Sequence, residues 1–551
     1  MVDATVKIEG QVVKTLPGTP LQEIIALQGL DLAGDDPFVL GAINGHRCSL
    51  AEPLWGGETV GLMRLSHPKS HSTAVRTLAA VLAVACNDLF PDRELLVDFF
   101  VGDGLYATLG NGVDGADLVA VDTKMREIIA QNRPIVPRVF DQRTLVRNRR
   151  DSSHPFSRRA ARYVYSGAPS MSQVIGSNQL FHGVLLPSTG LAHTFRLVAE
   201  EPGFILLPSA PGRPQDLAEL VHSTTFLAAM REYADWSTHH DLADLGAINR
   251  TVAEGRVKEL IRLCEARHTR FVVETAQQVF NMPADGRLVL AAGPSSSGKT
   301  SFAKRLTVQL QVQNLEPYAL SLDDYFVDRS DTPTDENGRL DYESIDALRL
   351  DLLNDHLAAL LAGRPVRLPR YDFTTGTSSE SQDEVTLPRG APLILEGLHA
   401  LNPRLASSIE SSHVLRVYVS ALCHTNIDNV TPLPTTLSRI VRRIVRDAQF
   451  RGYTASQTLA RWPQVREGED RWIFPYQDNA DLVFNSGLAY ELGVLKLWAE
   501  PRLAAVETDD SSYGRARALL ELLRMHLPID VRLVPPTSLL REFVGESGFS
   551  Y

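Results

Sequence analysis

Apolar residues change their period several times along the chain, and each change predicts a different kind of element. Val6, Ile8, Val12 and Val13 fall in a β-like stretch broken at Gly10. Thr19-Pro20-Leu21-Gln22-Glu23 predicts a short helix, with Thr19 as N-cap and Pro20 at its first position. Apolar runs at 38–40 and 58–62 flank a turn at Asn44-Gly45, so residues 1–65 read as a small α+β unit. Residues 66–230 mix both periods: an apolar helix over 78–89, a helix around 124–129, and a strand and turn over 182–190. Over 231–286 the residues Val257, Leu260, Ile261, Cys264 and His268 keep helical spacing, as do Phe271, Val272, Thr275 and Val279. Met282-Pro283-Ala284-Asp285-Gly286 ends that pattern, which predicts a helical connector. Residues 287–500 alternate apolar strands with amphipathic helices, the α/β pattern of a parallel sheet flanked by helices. Residues 501–551 predict a helix over 516–526 and a strand over 531–534, an extension of the preceding unit.

Charge narrows the range of partners. The net charge is −11, from 55 basic and 66 acidic residues, which counts against a broad nucleic-acid footprint and leaves room only for a local basic patch. The four cysteines, Cys48, Cys86, Cys264 and Cys423, form no C-x-x-C pair and read as reduced thiols. The first residues lack a basic segment followed by an apolar core, and the longest apolar run, 78–86, is short for a membrane span. A cytoplasmic protein without membrane contact is the expectation.

The decisive motif is a phosphate loop. Arg287-Leu288-Val289-Leu290-Ala291-Ala292 reads as a strand, Gly293-Pro294-Ser295-Ser296-Ser297-Gly298-Lys299-Thr300 follows at once, and Ser301-Phe302-Ala303-Lys304-Arg305-Leu306 opens a helix. This is G-x-x-x-x-G-K-[ST] in the strand–loop–helix setting that it needs. Its amides and the helix N-terminus bind phosphate, Lys299 reaches the outer phosphates, and the Thr300 hydroxyl suits Mg²⁺. Residues 293–301 are therefore the expected ATP site.

Downstream residues point to phosphoryl transfer. A strand over 318–322 ends in Asp323-Asp324, where a carboxylate can accept a hydroxyl proton and help to hold Mg²⁺. Leu393-Ile394-Leu395-Glu396 is a second apolar strand that ends in an acid, with Glu396 suited to the metal or its water shell. Over 437–447, Leu437, Ile440, Val441, Ile444 and Val445 share one face, while Arg439, Arg442, Arg443 and Arg446 crowd the other. So many cations call for an anionic partner, and a lid closing over ATP fits.

The loop, Ser321-Leu322-Asp323-Asp324-Tyr325, Tyr371-Asp372-Phe373, Leu395-Glu396-Gly397-Leu398 and Arg442-Arg443-Ile444-Val445-Arg446-Asp447 together resemble the uridine kinase and phosphoribulokinase family. The resemblance implies an α/β P-loop kinase that makes a nucleoside 5′-monophosphate from ATP with Mg²⁺. It implies Asp323 as base, with Lys299, Arg443 and Arg446 also catalytic, and Thr300, Asp323 and Glu396 around the metal. It sets Asp341, Tyr371, Asp372 and Glu396 beside the substrate. Gly376 stands where uridine kinases usually carry a histidine on the pyrimidine, so the base preference is open. A kinase of another polyol or sugar phosphate is the alternative.

The front of the chain carries two further likenesses. Residues 1–65 resemble the β-grasp TGS domain, and 66–230 are similar to the second additional domain of threonyl-tRNA synthetase, an α+β editing domain. His71 matches the first histidine of that editing site, but Val75 replaces the second and the C-x-x-x-H pair is missing. These likenesses raise RNA as a partner and an RNA- or nucleotide-binding regulator as a third reading, against which the acidic charge counts. A homo-oligomer is an open assembly state.

Overall fold

The computed structural model describes residues 4–140, 142–150, 154–165, 170–220, 223–335, 338–422 and 425–551. The chain opens with β1 (Ala4–Ile8), β2 (Gln11–Thr15), a two-residue β3 (Thr19–Pro20), α1 (Leu21–Leu27), β4 (Phe38–Ile43), β5 (His46–Cys48), a two-residue β6 (Pro53–Leu54) and β7 (Thr59–Arg64). Five of these strands form a mixed sheet in the order β2-β1-β7-β4-β5, with β1 parallel to β7. Helix α1 buries Leu21, Ile24 and Ile25. Thr19 is not its N-cap. Thr19 pairs with Leu54 in the β3–β6 bridge and gives its hydroxyl to the Leu16 carbonyl, so the helix starts after an extended Pro20.

The next elements are α2 (His71–Leu89), β8 (Leu95–Val101), β9 (Gly104–Leu109), α3 (Gly115–Ala130), β10 (Ile135–Val139), α4 (Gln142–Arg150) and α5 (Pro155–Tyr163). After them come β11 (Ser170–Val174), β12 (Leu180–His182), β13 (Phe195–Glu200), β14 (Gly203–Ala210) and β15 (Arg213–Leu217). They make one sheet in the order β13-β14-β9-β8, with β15 on β14, and a second in the order β10-β11-β12. The segment Pro68–Leu89 is long and apolar enough to cross a membrane, but 72% of its apolar window is buried inside the protein, as befits a core helix.

Three helices lead into the second half: α6 (Thr224–His239), α7 (Leu245–Ala253) and α8 (Val257–Asn281). The helical period read in the sequence is the buried face of α8: Leu260, Ile261, Cys264, His268, Val272, Thr275 and Val279 all point inward. The aromatic rings of Phe271, Phe302 and Phe484 cluster there, with Phe271 and Phe484 centroids 4.9 Å apart. Cys48, Cys86 and Cys264 are buried free thiols, each pushed up to about 12 by burial; Cys423 lies outside the described residues.

The second half is built on β16 (Arg287–Ala292), α9 (Lys299–Val312), β17 (Tyr318–Ser321), α10 (Leu350–Leu361), β18 (Val366–Asp372), β19 (Thr377–Val385), β20 (Pro392–Gly397) and β21 (Val414–Ser420). It closes with α11 (Thr435–Phe450), α12 (Ala455–Trp472), β22 (Leu482–Asn485), α13 (Glu491–Ala504), α14 (Tyr513–Arg524) and α15 (Arg541–Val544). Five strands form an all-parallel sheet in the order β17-β20-β16-β21-β22. Every residue of the central β16 is buried, as a strand covered on both faces requires. The expected strand at 531–534 is a 3₁₀ turn over Val531–Leu533 instead. The Arg541 guanidinium takes the carbonyls of Val531 and Val534, which leaves no edge for strand pairing.

The apolar cores do not stop at residue 287. Phe99, Tyr106 and Ile205 share one buried cluster with Leu288, Leu290 and Leu393. Ala160, Val164 and Tyr165 share another with Phe302, Leu306 and Phe543.

Candidate functional site

The sheet order puts the turn after β16 at the carboxyl end of the central strand, with β20 and β21 on either side. This is the crevice where open parallel sheets take their ligands. The turn needs glycine at both ends. A Cβ on Gly293 would stand 1.9 Å from the Val419 carbonyl oxygen. Gly298 adopts φ +89° as the residue that starts α9.

Side chains from distant elements hold the turn. The amide of Ser295 donates to Glu469 Oε1 at 3.2 Å, and Arg443 Nη1 donates to Ser295 Oγ at 2.9 Å. Arg442 Nη1 reaches the carbonyls of Ser296 and Ser297, and Ser486 Oγ donates to Ser297 O at 2.5 Å. Inside this frame Lys299 Nζ donates to the Pro294 carbonyl at 3.2 Å. Burial holds the ammonium below its ordinary range, while Glu396, Asp323 and Glu542 pull it back up.

The acids gather opposite. Thr300 Oγ1 donates to Glu396 Oε1 at 3.1 Å, and Ser321 Oγ reaches the same oxygen at 3.5 Å. Burial pushes Glu396 up to about 7, against the attraction of Lys299. Asp323 follows β17, open to solvent at the mouth. Desolvation of the carboxyl group on its inward side raises it above the usual carboxylate range, and Lys299, Arg451 and Arg446 oppose this. An oxygen-only donor set of this size fits a hard divalent cation held largely by phosphate and water. Among the described residues no group of three or more His, Cys, Asp or Glu could hold a metal by itself.

Helix α11 packs its apolar face into the core. Leu437, Ile440, Val441, Ile444 and Val445 are core residues. Two of its arginines are structural: Arg439 pairs with buried Glu469, and Arg442, with no exposed surface, pairs with Glu491 at 2.5 Å. Arg443 and Arg446, which pair with Asp447 at 3.4 and 3.8 Å, are left for the phosphate side. Arg446 is held down to about 10, chiefly by burial, with Glu542 among the groups that raise it. Two of the four cations expected on a closing lid, Arg439 and Arg442, are bonded to acids 30 and 49 residues further along the chain.

Other expected residues are placed less centrally. Asp341 accepts Trp472 Nε1 at 3.3 Å and the amide of Glu343 at 3.1 Å. Tyr371 is buried beside Phe326 and Phe373. The Asp372 carboxylate takes the Thr374 amide at 2.8 Å in the β18–β19 turn. Ser301, expected on ATP, gives its hydroxyl to Glu542 Oε2 at 2.5 Å and meets Tyr551 Oη at 2.7 Å. In the front half, His71 lies 3.9 Å from Asp103 in a small cavity that His193 also lines.

Three residues of the site were not read from the sequence. Glu343 is pushed up to about 7 by burial and by Glu469, against Arg443. Glu542 reaches the loop from α15, where Leu539 also packs against Gly298. Arg329 fills the space beside Gly376: a Cβ there would stand 2.6 Å from its guanidinium, which donates to the Phe373 carbonyl. Glu343 lies two residues after Asp341, but nothing local in the sequence ties residue 542 to residue 301.

Comparison with known proteins fits this geometry. Residues 288–491 match the model of the phosphoribulokinase/uridine kinase family. A uridine kinase of Deinococcus deserti is 32% identical over 197 residues, which are 36% of this chain and 86% of that protein. The chain belongs to the phosphoribulokinase/uridine kinase family. A uridine kinase of Bacillus mycoides is 33% identical over 198 residues, 36% of this chain and 84% of its own. A solved Bacillus stearothermophilus structure, described as that of a possible uridine kinase, is 21% identical. It covers 40% of this chain and 98% of its own, with a TM-score of 0.28. As a member of this family the chain is an ATP-dependent phosphotransferase, and the residues that match the family model lie in its second half.

Proposed function

We propose that the chain transfers the γ-phosphoryl group of ATP to the 5′-hydroxyl of a nucleoside. The observation that carries this reading is the convergence of Lys299, Thr300, Asp323 and Glu396 at one phosphate loop. Asp323, open to solvent, accepts the proton of the attacking hydroxyl. Lys299, Arg443 and Arg446 offset the charge of the transferring group. Mg²⁺ would sit at Thr300 and Glu396, with Asp323 beside it, and would supply further neutralisation of phosphate charge. Tyr371 and Asp341 lie on the acceptor side. The TGS-like and synthetase-like readings of 1–65 and 66–230, and the boundaries at 231, 287 and 501, belong to the same proposal, as does a cytoplasmic location.

A second acceptor class has support of its own. Arg329, against Gly376 and beside Tyr371, puts a guanidinium where a phosphate or carboxylate on the acceptor would be welcome. This favours a phosphorylated sugar or polyol. The test is ATP consumption with Mg²⁺ against a panel of common nucleosides and ribulose 5-phosphate. Turnover with a nucleoside supports the first reading, turnover with only the sugar phosphate supports the second, and no turnover with any acceptor counts against both.

A further inference from the structure

The acidic net charge hides a strongly basic segment. Between positions 133 and 162 there are nine arginines, no lysines, two aspartates and no glutamates. That is a surplus of seven positive charges in a chain whose net charge is −11. Part of it lies on α4 and α5, which pack against each other, and on the end of β10 before them. Arg138, Arg143, Arg147, Arg158 and Arg162 are all exposed there. Arg143 and Arg147 are one helical turn apart on α4, and Arg158 and Arg162 one turn apart on α5, a spacing of about 5–6 Å.

Ion pairing takes up part of this charge. Asp244 and Asp241 neutralise Arg159, and Asp241 also takes Arg250. Among the described residues no carboxylate lies within 4.0 Å of Arg143, Arg147 or Arg162. Between α5 and α7 lies a cleft of about 220 Å³ with Arg158, Arg159 and Arg162 on one wall and Arg250 on the other. Tyr163 lines it too, beneath the Arg162 guanidinium at 5.1 Å.

We propose that this arginine hairpin and its cleft bind the phosphodiester backbone of a nucleic acid. Guanidinium forks match phosphate oxygens, and two rows of them suit a run of phosphates better than a single one. A cleft walled by arginines admits a strand, which a flat lipid surface could not enter. The kinase site takes its phosphates at the turn after β16, so this surface is separate from it and does not depend on the acceptor.

The test uses the full chain and a fluorescent single-stranded RNA of about 20 nucleotides, its duplex, and DNA of the same sequence, titrated over a salt series. Four engaged phosphates predict a log–log salt slope of about −3 for a single strand. Arg143→Gln, Arg147→Gln and Arg162→Gln together should flatten that slope by about 2 and weaken binding at low salt at least tenfold. Circular dichroism should show an unchanged fold, and ATP consumption should stay at the wild-type level. A preference for RNA over DNA, or the reverse, names the source of the backbone. The proposal is overturned if neither nucleic acid binds at low salt, if the triple variant binds as well as wild type, or if only vesicles containing anionic phospholipid are bound.

Discussion

The carboxylate of Glu542 sits on the first turn of the phosphate-loop helix, hydrogen-bonded to Ser301 Oγ at 2.5 Å. It lies close enough to raise the proton affinity of Lys299, Glu396 and Arg446. The N-terminus of such a helix is where a nucleotide phosphate binds, so the bound anion meets Glu542 as a like charge. At about 6 Å and an effective dielectric constant of roughly 40, one such pair costs about 1.4 kcal/mol. Glu542→Gln should therefore tighten ATP binding about tenfold, since 1.4 kcal/mol is a factor of ten in Kd. The gain should shrink as salt is raised. Glu546→Gln, on an exposed neighbouring side chain, serves as the control for a general charge effect. Calorimetric titration of ATP into each protein measures the three affinities. Unchanged or weaker binding by Glu542→Gln would refute the argument, because the carboxylate would then be neutral toward the nucleotide or hold it directly.

Other consequences are open to measurement. Lys299→Ala should abolish phosphoryl transfer, and Asp323→Asn should cut the rate by ~10²–10⁴ while ATP binding persists; normal turnover by either variant would exclude its assigned role. Arg442→Met strands Glu491 in the core and should cost about 3–5 kcal/mol of stability in denaturant unfolding, whereas a loss below about 1 kcal/mol would show the pair to be dispensable. Glu343 titrates near 7 when folded against 4.5 ordinarily, so the folded state holds its proton between those values and loses stability as pH rises through them. Glu343→Gln removes that dependence, and its stability relative to wild type should improve by up to about 3 kcal/mol between pH 4.5 and 7.5; a difference that does not vary with pH would show that Glu343 titrates normally.

Local order was readable in the sequence, and long-range closure was not. The strand–loop–helix around Lys299 is encoded within about 20 consecutive residues, and a run of apolar residues followed by G-x-x-x-x-G-K-[ST] leaves few alternatives. The same holds for β17 and β20, each a short apolar run ending in an acid. The apolar spacing of α11 shows that it is amphipathic, but the acids that pair with Arg439 and Arg442, Glu469 and Glu491, sit on other elements and leave no local trace. The apolar run at 531–534 read as a strand, since such a run carries no sign that Arg541 will claim its carbonyls. Thr19 has the chemistry of an N-cap, yet the pairing of its backbone with Leu54 decides where α1 begins.

The clusters that join Phe99 and Ile205 to Leu288 and Leu393 bear on how this enzyme can be dissected. A fragment cut to the residues that match the family would begin near β16 and lose side chains that pack against its sheet. It would also lose α8, whose Phe271 completes the aromatic cluster over Phe302 and Phe484. The bared leucines would meet water or one another, so such a fragment is a poor stand-in for the intact enzyme. Substitutions far from the phosphate loop, at Phe99 or Ile205, would in turn register as lost heat tolerance of the catalytic half.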